Sequence, residues 1–193
     1  LDLGANIECS EKNLVDFSIM GASLFKSLYP EELPKVALLN IGSEEIKGND
    51  IIKSTYQNLS SKKSKEFEFK GYIEGNKLMG GDVNVIIADG FTGNVALKTL
   101  EGTAKAIVSA LLSAFSSSED AKAGAKLLAP SLIPLYQKLD PDSVGGAVLL
   151  GVKGIAIVSH GSSSANAILN AIKTAHELFE DDHVANLQSV LKP

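Results

Sequence analysis

VNVIIADGFTGN, Val83 to Asn94, decides how this chain is read. An apolar run stops at Asp89-Gly90 and turns through Thr92-Gly93-Asn94 into a helical pattern, so a strand delivers a small polar loop to a helix N-terminus. Such a junction presents unpaired backbone N–H groups and the positive end of the helix dipole, which suits an anion such as phosphate.

The same alternation continues outward from it. Downstream, Val95 to Phe115 reads as a long helix, apolar enough to be buried on most sides. Ser116-Ser117-Ser118 with Glu119 marks a break and a capped restart, Ile155 to Val158 reads as a last strand, and Ser162 to Ser164 cap a helix whose inner face is Ile168, Ile172, Ala175 and Phe179. Upstream, Val15, Ile19, Ala22 and Leu28 sit at helix spacing before Pro30 and Pro34. Val36 to Leu39 then reads as a buried strand. A helix carrying Ile52, Tyr56 and Leu59, a charged linker at Ser60 to Glu66, and a strand begun by Phe67 and Phe69 fill the interval. Strands alternating with helices predict an α/β fold with a mostly parallel sheet and helices on both faces. The 193 residues are expected to form one lobe, with an amphipathic helical segment at about 116–142. Leu1-Asp2-Leu3-Gly4 looks like the end of a strand and no methionine opens the chain, so these residues are expected to continue a longer polypeptide.

Composition narrows the function. A net charge of −5 argues against nucleic-acid binding, which demands a concentrated positive surface. All 18 basic residues are lysines, so any phosphate or carboxylate must be met by Lys, backbone N–H and neutral side chains rather than by a bidentate guanidinium. The single cysteine, Cys9, excludes an internal disulfide framework and a cysteine-based zinc cluster and fits a reducing, cytoplasmic setting. No apolar run approaches bilayer length. His176, His183 and Glu180 are read as an exposed polar face, and no metal or cofactor is expected.

Three loops follow strands in this scheme: Asn40 to Asn49, Asp89 to Asn94, and Ser159 to Ser164. In open α/β sheets the ligand crevice lies at the carboxyl ends of the strands, so the three are expected to converge. Each is rich in Gly, Ser, Asn or Thr, which let a ligand approach the backbone and complete its hydrogen bonding. Each could equally be an ordinary capped connection.

LDLGAN (Leu1–Asn6), LLNIGSEEIKGN (Leu38–Asn49), DGFTGNVALKTLEG (Asp89–Gly102) and GGAVLLGVKGIAIVSHGSSSANAI (Gly145–Ile168) together resemble the bacterial phosphate acyltransferase (PlsX) family over essentially the whole chain. The resemblance implies transfer of a fatty acyl group from acyl-acyl carrier protein to inorganic phosphate, giving acyl phosphate for phospholipid synthesis. It also implies a Rossmann-like fold related to the isocitrate and isopropylmalate dehydrogenases and the phosphotransacetylases, a homodimer, and a peripheral place on the inner face of the membrane beside the membrane acyltransferase that uses acyl phosphate. The family's N-terminal Asp-Ala-Met-Gly-Gly-Asp loop is absent here. A nucleotide-binding dehydrogenase relative is the first competitor, disfavoured because no GxGxxG follows a strand. An inactive fragment or binding module is the second.

Attack of phosphate on a thioester needs the dianion held near the carbonyl carbon, cations or N–H groups for the oxyanion, and help for the departing thiolate. Lys98 is read as the phosphate or oxyanion cation, against a solvated helix lysine, and Lys47 as a second, against an ordinary turn residue. His160 is the candidate proton donor to the thiolate, against a loop-packing histidine, and Asp89 would orient one of these groups. Asn40, Gly48, Asn49, Gly90, Thr92, Gly93, Asn94, Ser159, Gly161 and Ser162 would line the phosphate and substrate site, with N-capping as the alternative for the polar members. In Ala121 to Lys138, Lys122, Lys126 and Lys138 accompany Leu128, Leu132 and Ile133, with Pro130 and Pro134 interrupting. That mixture suits a membrane surface or the acidic helix of acyl carrier protein, or else a packed hairpin at a dimer interface.

Overall fold

The structure is a computed structural model that describes residues 1–61, 64–139, 145–159, 161 and 163–191, with the side chains of 135–139 left aside. The described residues fall into two compact units, 1–97 with 150–155 and 177–193, and 98–149 with 156–176.

The first unit is built on three parallel strands, β1 (Lys35–Asn40), β2 (Glu68–Glu74) and β3 (Val85–Ile87), in the order β2-β1-β3. Its central strand reads as an unbroken apolar run because both of its faces are covered: Val36, Ala37 and Leu38 are fully buried. Helices α1 (Glu11–Leu28) and α2 (Asp50–Ser61) pack on the face that presents Val36, Leu38, Val85 and Ile87. The buried stripe of α1 is Leu14, Phe17, Ser18, Gly21 and Ala22, rotated from the predicted Val15 and Ile19, which are only partly buried at its margin. Leu1 adds strand-like bonding beside β3, its amine donating to the Ile86 carbonyl at 2.7 Å and its carbonyl accepting from the Ala88 amide at 2.6 Å. The α/β class and the parallel sheet flanked by helices are therefore as predicted.

Several local expectations change. Helix α3 (Gly90–Phe115) starts at Gly90 rather than near Val95, so the small residues of the opening stretch form its first turn. It is not buried on most sides: within it only Gly90 and Gly93 are buried, while Val95, Ile107, Leu111 and Leu112 are exposed. Helix α4 (Glu119–Leu139) restarts after the Ser116–Ser118 break as expected, with the Ser118 hydroxyl accepting from the Ala121 amide at 3.1 Å, and it runs on through Pro130 and Pro134 without interruption. The last strand is not part of the parallel sheet. β4 (Ala147–Val148) and β5 (Ile157–Val158) form a two-stranded antiparallel pair in the second unit.

Ser164 caps helix α5 (Ala165–Glu180), donor amide of Ala167 to its hydroxyl at 3.2 Å. The buried residues of α5 are Ala167 and Leu178, whereas the predicted inner face stands in solvent, with Ile168, Ile172 and Phe179 exposed by 44%, 62% and 68%. His183 is not on that helix. It opens α6 (His183–Leu191) after a turn in which Asp182 has φ 49°, and it is buried against α1, where its Nδ1 lies 3.0 Å from the Ser27 hydroxyl. The exposed polar face expected for it is thereby corrected.

Candidate functional site

Within the first unit, the N-terminal ends of α1, α2 and α3 line one cleft of about 720 Å3. Its walls come from Ile7 to Ser10 with Leu14 at the start of α1, from Asn49, Ile51 and Ile52 at the start of α2, and from Asp89, Phe91 and Thr92 at the start of α3. Each end is capped in its own way. Ser10 forms a reciprocal box with Asn13, the Asn13 amide donating to the Ser10 hydroxyl at 3.3 Å and the Ser10 amide to the Asn13 carboxamide oxygen at 2.9 Å. The Asn49 side chain accepts from the Ile52 amide at 2.9 Å. Asp89 accepts from the Thr92 amide at 2.7 Å through one oxygen and from the Thr92 hydroxyl at 2.9 Å through the other.

Two of the three predicted loops meet here, those after β1 and β3. In the first, Asn40 is buried and holds the turn from inside, its carboxamide donating to the Lys47 carbonyl at 3.2 Å while its oxygen accepts from the Ile41 amide at 2.9 Å. Gly48 adopts φ 91°, and a β-carbon there would lie 2.6 Å from the Asn40 side-chain oxygen. Lys47 is exposed at the tip, its amide bonded to Glu44.

The second loop is pressed against the segment Leu1–Asn6. A β-carbon on Gly93 would collide with the Asp2 carbonyl oxygen, and one on Gly90 would lie 2.7 Å from the Asn6 carbonyl oxygen and 2.9 Å from an Asp2 carboxylate oxygen. The Gly90 amide donates to the Asn6 carbonyl at 2.7 Å and the Asn94 carboxamide to the Leu3 carbonyl at 2.8 Å. The buried Asp2 carboxylate organises that segment, accepting from the amides of Gly4, Ala5 and Asn6 and from the Asn6 side chain at 2.7–2.9 Å. Burial alone would push this carboxyl up, but those hydrogen bonds outweigh it and hold the group below its ordinary value. Burial chiefly, with the negative charges of Asp2 and Asp89, pushes the Cys9 thiol up, so it is a neutral thiol in the cleft wall.

Lys98 lies in the third turn of α3, exposed and paired with Glu101 at 2.9 Å, and belongs to the second unit. Ser159, also there, donates to the Gly145 carbonyl at 2.7 Å, and Gly161 is exposed. His160 and Ser162 lie outside the described residues, as does the Lys138 side chain. On α4, Lys122 pairs with Glu119 at 2.7 Å, Lys126, Leu128 and Ile133 are exposed, and Leu132 is half-buried. Among the described residues no three His, Cys, Asp or Glu side chains gather as a metal site, and no helix is long and apolar enough to cross a membrane.

Sequence reasoning missed the contribution of α1 to the cleft. The spacing Ser10-x-x-Asn13 before the Leu14 stripe was the available signal, a capping pattern with Asn in place of the usual Glu or Gln. The strand end read at Leu1-Asp2 agrees with their backbone bonds to Ile86 and Ala88, but the turn that the Asp2 carboxylate then holds was missed, although an Asp followed by Gly4 and Asn6 is a turn-forming pattern.

The phosphate acyltransferase of Pelagibacter ubique (strain HTCC1062) is 52% identical over 189 residues, 98% of this chain and 57% of that protein. Those of Erythrobacter litoralis (strain HTCC2594) and Clostridium perfringens (strain SM101 / Type A) are 42% and 46% identical, covering 99% and 97% of this chain and 54% and 55% of theirs. The chain spans about half the length of the curated relatives it matches. A family model described as fatty acid synthesis protein matches residues 1–186, so the cleft and both flanking loops lie inside the matched region, and the chain belongs to that family.

Proposed function

We propose that the protein carrying this chain transfers a fatty acyl group from acyl-acyl carrier protein to inorganic phosphate, giving acyl phosphate for phosphatidic acid and phospholipid synthesis. The observation that carries the reading is the cleft where the N-termini of α1, α2 and α3 meet, in a chain whose relatives are named phosphate acyltransferase. A phosphate oxygen attacks the thioester carbonyl carbon, the C–O bond forms, the C–S bond breaks, and the proton of the hydrogen phosphate dianion ends on the departing thiol. No covalent enzyme intermediate is needed, in keeping with a Cys9 thiol held neutral.

Three helix ends together contribute about 1–3 kcal/mol to an exposed anion, too little to hold a dianion beside the carboxylates of Glu8 and Asp89. The lysines are therefore assigned the larger share. Lys47 and Lys98 neutralise the phosphate and the developing oxyanion, Asn49 and Thr92 supply polar contacts, Asp89 fixes Thr92, and His160 protonates the thiolate. Asn40, Gly48, Gly90, Gly93 and Asn94 shape the two loops, while Ser159, Gly161 and Ser162 complete the substrate shell. The exposed Leu128 and Ile133 beside Lys122 and Lys126 support contact of α4 with the inner face of the membrane or with acyl carrier protein. The exposed apolar faces of α3 and α5 support a homodimer.

The test is acyl phosphate formation by the full-length protein from acyl-acyl carrier protein and phosphate, with Lys98→Ala and His160→Ala beside it. Loss of an oxyanion donor typically costs about 100- to 1,000-fold in rate. Full rate in both variants sinks the residue assignment, and no acyl phosphate from the wild type sinks the activity.

A further inference from the structure

The cleft has an apolar wall that phosphate chemistry leaves unused. Ile7, Ile51 and Phe91 line it while standing 70%, 41% and 64% exposed. They come from three separate segments, the loop before α1 and the first turns of α2 and α3, with the buried Leu14 and Ile52 also in the lining. Single exposed hydrophobic residues are ordinary on protein surfaces, but three from different segments converging on one opening are a patch that marks a binding groove. Such a lining, in which apolar side chains accompany the Glu8 carboxylate, the caps Ser10, Asn49 and Asp89, and Thr92, fits a ligand with a polar reacting end and a hydrocarbon body, and 720 Å3 is within the roughly 300–1,000 Å3 usual for such sites.

Resting on the acyl-transfer reading above, we infer that the alkyl chain of the acyl donor, not its thiol-bearing arm, lies against Ile7, Ile51 and Phe91, and that these side chains set chain-length preference. An amide-bearing arm needs hydrogen-bond partners along its length, which hydrocarbon side chains cannot offer. An alkyl chain needs none and gains roughly fourfold in affinity for each methylene buried. Two to three methylenes in contact with this wall therefore suffice for a preference of tenfold or more.

The experiment measures kcat/KM of the full-length protein for 16-carbon and 4-carbon acyl groups on the same carrier. The variants are Ile51→Ala with Phe91→Ala, Ile7→Ala, and the bulk-retaining Phe91→Leu. The expected result is at least a tenfold fall in the ratio of long-chain to short-chain kcat/KM in the double variant, a smaller fall in Ile7→Ala, and a ratio within about threefold of wild type in Phe91→Leu. Equal losses for both donors, leaving the ratio unchanged, would overturn the inference and place the carrier's arm there instead. Wild-type protein that makes no acyl phosphate from either donor overturns the acyl-transfer reading itself, an outcome separate from any change of ratio among variants.

Discussion

Replacing Gly93 by alanine adds one methyl group at the tightest point between α3 and the segment Leu1–Asn6. That β-carbon would overlap the Asp2 carbonyl oxygen, which is backbone and cannot swing aside as a flexible side-chain tip could. Forcing a methyl into such a contact costs about 1–3 kcal/mol. Relief requires the segment to lift, which weakens the Gly90 to Asn6 and Asn94 to Leu3 hydrogen bonds, each contributing about 0.5–1.5 kcal/mol. The exposed Asn94 bond counts at the low end, so the total is about 2–5 kcal/mol, a large part of an ordinary protein's stability. Gly102 lies on the same helix with nothing within 4 Å of its would-be β-carbon, so Gly102→Ala is expected to be neutral or to stabilise by up to about 1 kcal/mol through helix propensity. Denaturant titration of the full-length protein compares the two. A Gly93→Ala change smaller than about 0.5 kcal/mol, the ordinary range of a surface substitution, would show that the segment does not depend on this close approach.

Further outcomes follow from other groups. Burial holds the His183 ring below its ordinary value of 6.5, with Asp181 opposing, and its Nε2 is buried without a hydrogen-bond partner among the described residues. As pH falls below 6.5 the unfolded chain takes up a proton that the folded one refuses, so stability declines with falling pH, by at most about 1.4 kcal/mol per unit. His183→Leu should flatten that slope between pH 7 and 5 in thermal unfolding, and an unchanged slope refutes the assignment. Cys9→Ala should retain acyl phosphate formation within a few-fold, since direct displacement uses no thiol nucleophile; a loss of 1,000-fold or more would make Cys9 the nucleophile. Leu128→Glu with Ile133→Glu, both at exposed positions of α4, should release the full-length protein from anionic vesicles in a sedimentation assay without lowering its melting temperature, and undiminished pelleting removes α4 from the membrane contact.

The parts of the fold that declare themselves through local chemistry could be read from the sequence. Val36 to Leu39 is apolar at every position because that strand is covered on both faces, and Asp89-Gly90 announces a capped helix through its own hydrogen-bonding groups. What escaped depends on partners that periodicity does not name. Ile157 and Val158 have strand character, but only their pairing with Val148 and Ala147 makes them antiparallel. The helical spacing of Ile168, Ile172 and Phe179 shows that α5 has an apolar face, and says nothing of what that face meets. At the cleft, Asn49, Asp89 and Thr92 were found because caps and turns have sequence signatures. Ile51 and Phe91 were passed over because an apolar residue in a first helical turn looks the same whether it packs inward or toward a ligand.

The Asp2 carboxylate gathers the amides of three successive residues onto one charged group. These amides therefore share a single fastening. When it opens, Gly4, Ala5 and Asn6 lose protection in the same event, and hydrogen exchange should report one common opening rate for all three rather than a graded fraying from the chain end. Acid releases the fastening as a unit once the carboxyl is protonated, below its ordinary value of 3.8. Residues 4–6 are in that sense held by a single latch, and the first turn of α3 is tied to it through the Gly90 amide.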